Sequence, residues 1–165
     1  MSQSNIIGNA KRAIRIIPHD TIDIPNPSFP ITNGTTDGTT AFKLVNVGGG
    51  FDVLQADNQL NIGDIVYNTT DFTVATVAAI DSADQLSLSA DIFVSGETNQ
   101  IYKAGMNDGC VFVSPNITDL TVLTAGGDKV NIGALNRYVA VGLQIVRIYD
   151  TGTTIVSGEF FGYFA

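Results

Sequence analysis

The chain has 165 residues, 44% of them apolar and only 15% charged, with a formal net charge of −8. That length and apolar content allow a core of ordinary size and exclude intrinsic disorder, which needs low hydrophobicity and high charge density. The acidic balance argues against free DNA or RNA as a partner, since binding phosphates calls for clustered Lys and Arg. No apolar run approaches the ~20 residues of a membrane span. The 17 Thr and 17 Gly favour strands and turns, so composition leans all-β.

Residues 1–12 read as a polar arm ending in Lys11 and Arg12, and Met1–Asn5 carries no signal-peptide pattern. Residues 13–17, Ala-Ile-Arg-Ile-Ile, form a short strand that Pro18 stops. Pro25, Pro27 and Pro30 then remove three backbone donors and hold the chain extended. Such a segment is no central strand; it lies along an edge or crosses to a neighbouring subunit. Residues 33–40, Asn-Gly-Thr-Thr-Asp-Gly-Thr-Thr, read as a flexible polar loop and a domain boundary. The charge shifts there. Residues 35–104 hold 9 acidic against 2 basic residues, a net of −7, whereas residues 1–34 carry +1 and residues 105–165 carry −2.

Within that acidic stretch, Phe42–Asn46, Asp64–Tyr67, Phe72–Ile80, Gln85–Ser89 and Gln100–Lys103 are predicted strands separated by polar turns. Short strands at this spacing predict a small barrel of SH3 or OB size. Gly48-Gly-Gly50 reads as a turn that neither follows a strand nor opens a helix, so it is no phosphate loop. No segment of ten residues shows a helical period. Further on, Cys110–Val113, Leu120–Thr124, Lys129–Ile132 and Tyr138–Tyr149 are predicted strands. In the last of these Val139, Val141, Leu143 and Ile145 form one apolar face. Ile155–Phe164 ends the chain as one strand crowded with Phe160, Phe161, Tyr163 and Phe164.

The inventory of chemistry is short. His19 is the sole histidine, and with Asp20 it could form a base and its orienter; a turn hydrogen bond is the plainer reading. Cys110 is the sole cysteine, which excludes an intrachain disulfide and reads as a small buried apolar group. Asp57, Asn58, Asn61 and Asp64 offer oxygen ligands of the kind calcium takes, but their spacing departs from the EF-hand loop, and with Asp81 and Asp84 they read as turn caps. A glycosidase using two Asp is a further class, weakened by the absence of Trp as a sugar platform. Asn33, Asn68 and Asn116 open N-x-Thr sequons that read as Asn/Thr-rich turns. No metal or other cofactor is expected.

Several stretches, in order, resemble a known family: Ala13-Ile-Arg-Ile-Ile-Pro18-His-Asp20-Thr-Ile-Asp23-Ile-Pro25; Gly109-Cys-Val-Phe-Val; Asp119-Leu-Thr-Val; Gly126-Gly-Asp-Lys-Val130; Gln144-Ile-Val-Arg147-Ile-Tyr; and Thr151-Gly-Thr-Thr154. Together they resemble the small head-spike base and capsid decoration proteins of tailed phages and gene transfer agents, over residues 9–30 and 109–165. The sequence departs from that pattern in an extra module after the arm, in Ser114-Pro115-Asn116 where the family has Gly after the strand, and in a longer, more aromatic tail. The extra module resembles a β-module that recurs in phage structural proteins.

The resemblance implies an all-β base domain, a small sandwich or barrel, with residues 1–34 as arm and first strand and 105–165 as the remainder. Residues 35–104 would be an inserted small β-barrel facing outward. It implies a non-enzymatic virion protein on the capsid exterior, made in the host cytoplasm, a homo-trimer or homo-pentamer bound to the major capsid protein and to a spike or fibre protein. Nucleic acid and membrane are not expected partners. The aromatic tail is read either as the domain's own core or as an intersubunit core, and the interface expected is Pro25, Pro27, Phe29, Phe160, Phe161, Tyr163 and Phe164. The alternative is an adhesive, carbohydrate-binding protein of a tail, baseplate or fibre, with Tyr67, Phe72 and Tyr102 as a sugar platform.

Overall fold

Short alternating segments with Gly- and Asn-rich turns leave little choice but antiparallel strands, and these dominate residues 9–165, which a computed structural model describes. Residues 1–8 of the expected arm lie outside the described residues. In chain order the elements are β1 (Arg12–Ile16), β2 (Pro30–Thr35), β3 (Lys43–Val45), α1 (Phe51–Ala56), β4 (Ile65–Asn68), β5 (Thr73–Ser82), β6 (Gln85–Leu88), β7 (Thr98–Tyr102), β8 (Cys110–Val113), β9 (Asn116–Asp119), β10 (Thr121–Thr124), β11 (Lys129–Asn131), β12 (Ala140–Ile148), β13 (Thr154–Ser157) and β14 (Phe160–Phe164). Among the described residues the fold is all-β apart from one short helix. The chain divides into two compact units, one built from residues up to Ser28 together with Gly105–Ala165, the other from Phe29–Ala104.

The first unit has a six-stranded antiparallel sheet in the order β1-β14-β8-β12-β10-β11 and a two-stranded ribbon of β13 and β9. Sheet and ribbon share one core of Ile16, Ile24, Phe112, Ile117, Leu120, Val122, Ile145, Ile148, Phe160 and Phe164. Phe112 and Phe160 meet edge to face, ring centroids 5.8 Å apart. The last strand expected from the sequence is in fact two. Gly158, at φ 91°, turns the chain between them, so β13 pairs β9 while β14 pairs β1 and β8.

The alternation expected along residues 139–145 also needs correction. The register of β12 shifts against β8 between Val141 and Ile145, and a bulge of this kind interrupts the alternation of inward and outward side chains. Of the expected face Ile145 is buried and Val141 packs against the core, joined by Ile148, while Val139 and Leu143 are exposed.

The proline arm stays with its own unit. His19 N–H donates to Ile148 O at 2.9 Å and Ile24 N–H to Val146 O at 2.8 Å, so the few donors between the prolines suffice for one edge of β12. Ile22, Ile24 and Pro25 are buried there. Arg147 pins the arm from the other side. Its Nη2 lies 2.7 Å from Asp23 Oδ1, and its Nη1 donates to Asp20 O at 3.0 Å.

The second unit is one antiparallel sheet, ordered β2-β7-β4-β5-β6-β3. It curls until its edges approach, Asp37 N–H just beyond β2 donating to Val45 O of β3 at 2.8 Å. Its core holds Leu44, Phe51, Leu60, Val66, Val77, Leu86 and Ile101. The boundary expected at residue 34 therefore moves back to 28, because Pro30–Thr35 is not a loop but an edge strand paired to β7. Pro30 is tolerated there because it opens the strand. The triglycine also departs from expectation. It follows β3, and Gly50, at φ 63°, caps α1. Its amides are already engaged, Gly48 N–H with Asp84 Oδ1 at 2.7 Å and Gly49 N–H with Asn46 O at 2.9 Å.

The stretch Asp64–Asp71 forms the hairpin of β4 and β5, with Asn68 opposite Thr73. Asn68 is fully buried and organises this end of the sheet. Its Oδ1 accepts the N–H groups of Thr70 and Asp71 at 2.9 and 3.2 Å, which lets the side chain stand in for a turn of backbone. Its Nδ2 donates to Ile92 O at 2.7 Å and Glu97 Oε2 at 2.9 Å.

Phe112→Ala removes a fully buried ring from the first unit's core and is expected to cost about 3–5 kcal/mol, read as a fall in the urea midpoint with the β-type circular dichroism retained in native buffer.

Candidate functional site

The seven residues expected at an interface separate once the side chains are placed. Phe160 and Phe164 are buried in the first unit's own core, and Pro25 is buried with the arm. These three are corrected from interface to interior: β14 lies between β1 and β8, so its even positions face the sheet's covered side. Phe29 is 48% exposed but belongs to the second unit. Pro27 and Tyr163 are half-buried, and Phe161 is 40% exposed.

Phe161 stands at the centre of what remains on the sheet's outer face. Cross-strand register places Arg15, Phe161, Val113 and Ala140 in one row across β1, β14, β8 and β12. Above the row opens a cleft of about 380 Å³ lined by Val113, Ser114, Arg137, Tyr138, Gly158, Glu159 and Phe161. Tyr138 is 73% exposed. Its backbone takes φ 66°, a left-handed conformation that is rare for an aromatic residue and costs about 1–3 kcal/mol. Three hydrogen bonds hold it there. Tyr138 N–H donates to Ser114 O at 2.9 Å, Ser114 N–H to Val139 O at 3.0 Å and Ser114 Oγ to Asn136 O at 2.9 Å. The Arg137 guanidinium lies 4.8 Å from the Tyr138 ring centroid. On the far wall Arg15 Nη1 pairs with Glu159 Oε1 at 2.8 Å. Val139, Leu143, Ile155 and Val156 add exposed apolar surface to the same unit. Sequence reasoning missed Arg137 and Tyr138 as a pair on this face, because the left-handed turn at Tyr138 that presents them has no marker in the sequence.

The chemical candidates are tied into turns. His19 Nδ1 accepts the N–H groups of Thr21 and Ile22 at 3.2 and 3.1 Å, as an Asx side chain would. Asp20 accepts Thr151 Oγ1–H at 2.6 Å and Thr151 N–H at 2.8 Å, and these bonds hold its carboxyl below the usual carboxylate range. The two side chains thus serve different turns rather than one relay. Cys110 is buried, which pushes its thiol up to about 12.

Asp81 bonds Lys43 Nζ at 2.8 Å and also Ser87 and Gln85, and the Lys43 bond chiefly lowers its carboxyl. Asp71 is raised by a hydrogen bond to Glu97, a carboxyl pair in a cleft of about 230 Å³. Among the described residues no three His, Cys, Asp or Glu side chains converge as metal ligands. Tyr67 and Tyr102 are buried edge to face, 5.8 Å apart, and Phe72 is 37% exposed. Burial of both tyrosines removes the sugar platform expected of them.

No family model matches this chain. No curated protein and no solved structure matches it either.

Asp20 supplies a signed pH dependence. A lowered carboxyl contributes stability above the ordinary carboxylate pKa and loses it as pH falls through the lowered value. Asp20→Asn is expected to reduce the urea midpoint at neutral pH and to leave it unchanged in acid below that range, whereas an equal fall at both ends would contradict the assignment. His19→Asp keeps the acceptor for Thr21 and Ile22, so it should melt above His19→Ala in a calorimetric scan at neutral pH.

Proposed function

We propose that this protein is a non-enzymatic structural component of a phage virion, a capsid decoration or head-spike base protein that acts by binding. The observation that carries the reading is the outer face of the first unit's sheet, where Phe161, Val113 and a strained, arginine-stacked Tyr138 surround an open cleft. Large exposed aromatic surface is costly to a lone chain and characterises interfaces, where Tyr and Arg are enriched. The ordered run of motifs that resembles head-spike base proteins supports the same reading, since those stretches form β1, the arm, β8, β10, β11 and β12 of this very unit.

In this reading the outer face packs on copies of the same chain and on the major capsid protein, with a spike or fibre protein as the third partner. Apolar burial supplies about 25 cal/mol per Å², less the cost of ordering. Shell symmetry multiplies weak contacts into avidity, and trimer and pentamer both suit it.

A second reading is favoured by one observation in the second unit. A cleft of about 430 Å³ is lined by Asn33, Gly34, Thr35, Thr69, Thr98, Asn99 and Gln100, with no charged group. Amides and hydroxyls suit a neutral glycan, as an adhesive protein of a tail or fibre would require. Titration with neutral oligosaccharides, followed by the amide resonances of these residues, tests it.

For the main reading, mass spectrometry of purified virions is expected to find the chain at a fixed ratio to the major capsid protein. Tyr138→Asp with Phe161→Asp should lower that ratio at least tenfold and shift the free protein to monomer in light scattering. Phe164 is unsuited to this test because it is core. Absence of the wild-type chain from the particle would overturn the reading.

A further inference from the structure

At the end of β7 the second unit brings an amine, a carboxamide and a buried carboxylate together. Lys103 follows β7 directly, while Asn61 and Asp64 lie on the loop from α1 into β4, and the pairing of Ile65 with Tyr102 sets the two segments side by side. The Asp64 side chain is 3% exposed and that of Lys103 25%. Asp64 Oδ2 accepts Asn61 N–H at 2.8 Å and Oδ1 accepts Ala104 N–H at 3.0 Å, so the carboxylate bridges both segments. Lys103 Nζ lies 3.5 Å from Asp64 Oδ2 and donates to Gln59 O at 3.1 Å. The Asn61 amide directs Nδ2 to Asn58 Oδ1 and Leu60 O, each at 3.2 Å, and this turns Oδ1 into direct contact with Lys103 Nζ.

A lysine that only neutralises an aspartate has no need of a side-chain amide against its nitrogen. Here the carboxamide is held in place by two hydrogen bonds of its own, with the amine on one side and a shielded carboxylate beside both. This is the set that amide exchange requires: a nucleophile, an electrophilic carbonyl and a group to carry protons between them, prepositioned so that the reaction is intramolecular.

We propose that Lys103 and Asn61 join in an intramolecular isopeptide bond, with Asp64 as the proton carrier. Asp64 takes one proton from the Lys103 ammonium, and the freed lone pair forms a bond to Asn61 Cγ. The Cγ–Nδ2 bond breaks as Asp64 returns that proton to the departing nitrogen. The attacking nitrogen sheds a second proton through the same carboxylate. The products are a secondary amide and one ammonium ion, with Asp64 ionised as at the start; no oxidant, reductant or cofactor enters. The bond closes the chain from residue 61 to residue 103 and so restricts the unfolded state as any crosslink does.

Intact-mass spectrometry of the purified full chain tests this. The expected mass is the sequence mass less one ammonia. Trypsin does not cut after an acylated lysine, so digestion should yield Leu44–Lys129 in place of Leu44–Lys103, with fragment ions joining residues 61 and 103. Lys103→Arg, which keeps the charge, and Asn61→Ala should each show full mass and a lower melting temperature. Wild-type protein at full sequence mass that is cleaved after Lys103 would overturn the proposal. So would a loss of ammonia that maps to Asn33-Gly34, where a succinimide gives the same mass change.

Discussion

The first unit depends on how β12 is partnered. β8 runs only from Cys110 to Val113, and β12 outlasts it, so beyond Ile145 one edge of the sheet's central strand would face no backbone donor. A buried, unpaired carbonyl row is costly. The arm fills that place, giving His19 N–H to Ile148 O and Ile24 N–H to Val146 O. Arg147, projecting from the same stretch of β12, takes Asp23 and the Asp20 carbonyl. Ile24 thereby enters the core next to Ile145 and Ile148. Prolines in the arm are compatible with this because the donors used belong to His19 and Ile24.

Much of this was legible in the sequence, and the failures have definite causes. The all-β class follows from composition and alternation, and most strands lie within a few residues of where apolar periodicity places them. Pro30–Thr35 escaped because Asn33-Gly34 and a leading proline are turn chemistry, while its strand character comes wholly from pairing with β7. Asn116–Asp119 escaped because three of its four residues are polar or exposed, and only Ile117 faces the core. The apolar face of β12 was right at Val141 and Ile145 and wrong at Val139 and Leu143, because a bulge between Val141 and Ile145 leaves no mark in a period-two pattern. The split between β13 and β14 turns on Gly158 alone.

The candidate surface was less legible than the fold. Crowded aromatics in the tail gave the right strand but not which face each ring takes: Phe160 and Phe164 are interior, and Phe161 is the one presented outward. Tyr138 read as an ordinary strand start and Arg137 was not singled out; their prominence arises from a left-handed residue fixed by the Ser114 backbone and hydroxyl. His19, Asp20 and Asn68 share one lesson. Each side chain stands in for backbone at a turn, so residues that look chemically active are spent on shape.

The two ends of the second unit meet. Pro30 of β2 pairs with Tyr102 of β7, and Lys103 N–H reaches Phe29 O at 3.4 Å. A chain that enters and leaves at the same point asks its host for only a short gap in a loop, and joining nearby ends costs little entropy. Residues 29–104 thus have the topology of a cassette: their curled sheet begins and ends at one place, and each unit has a core of its own.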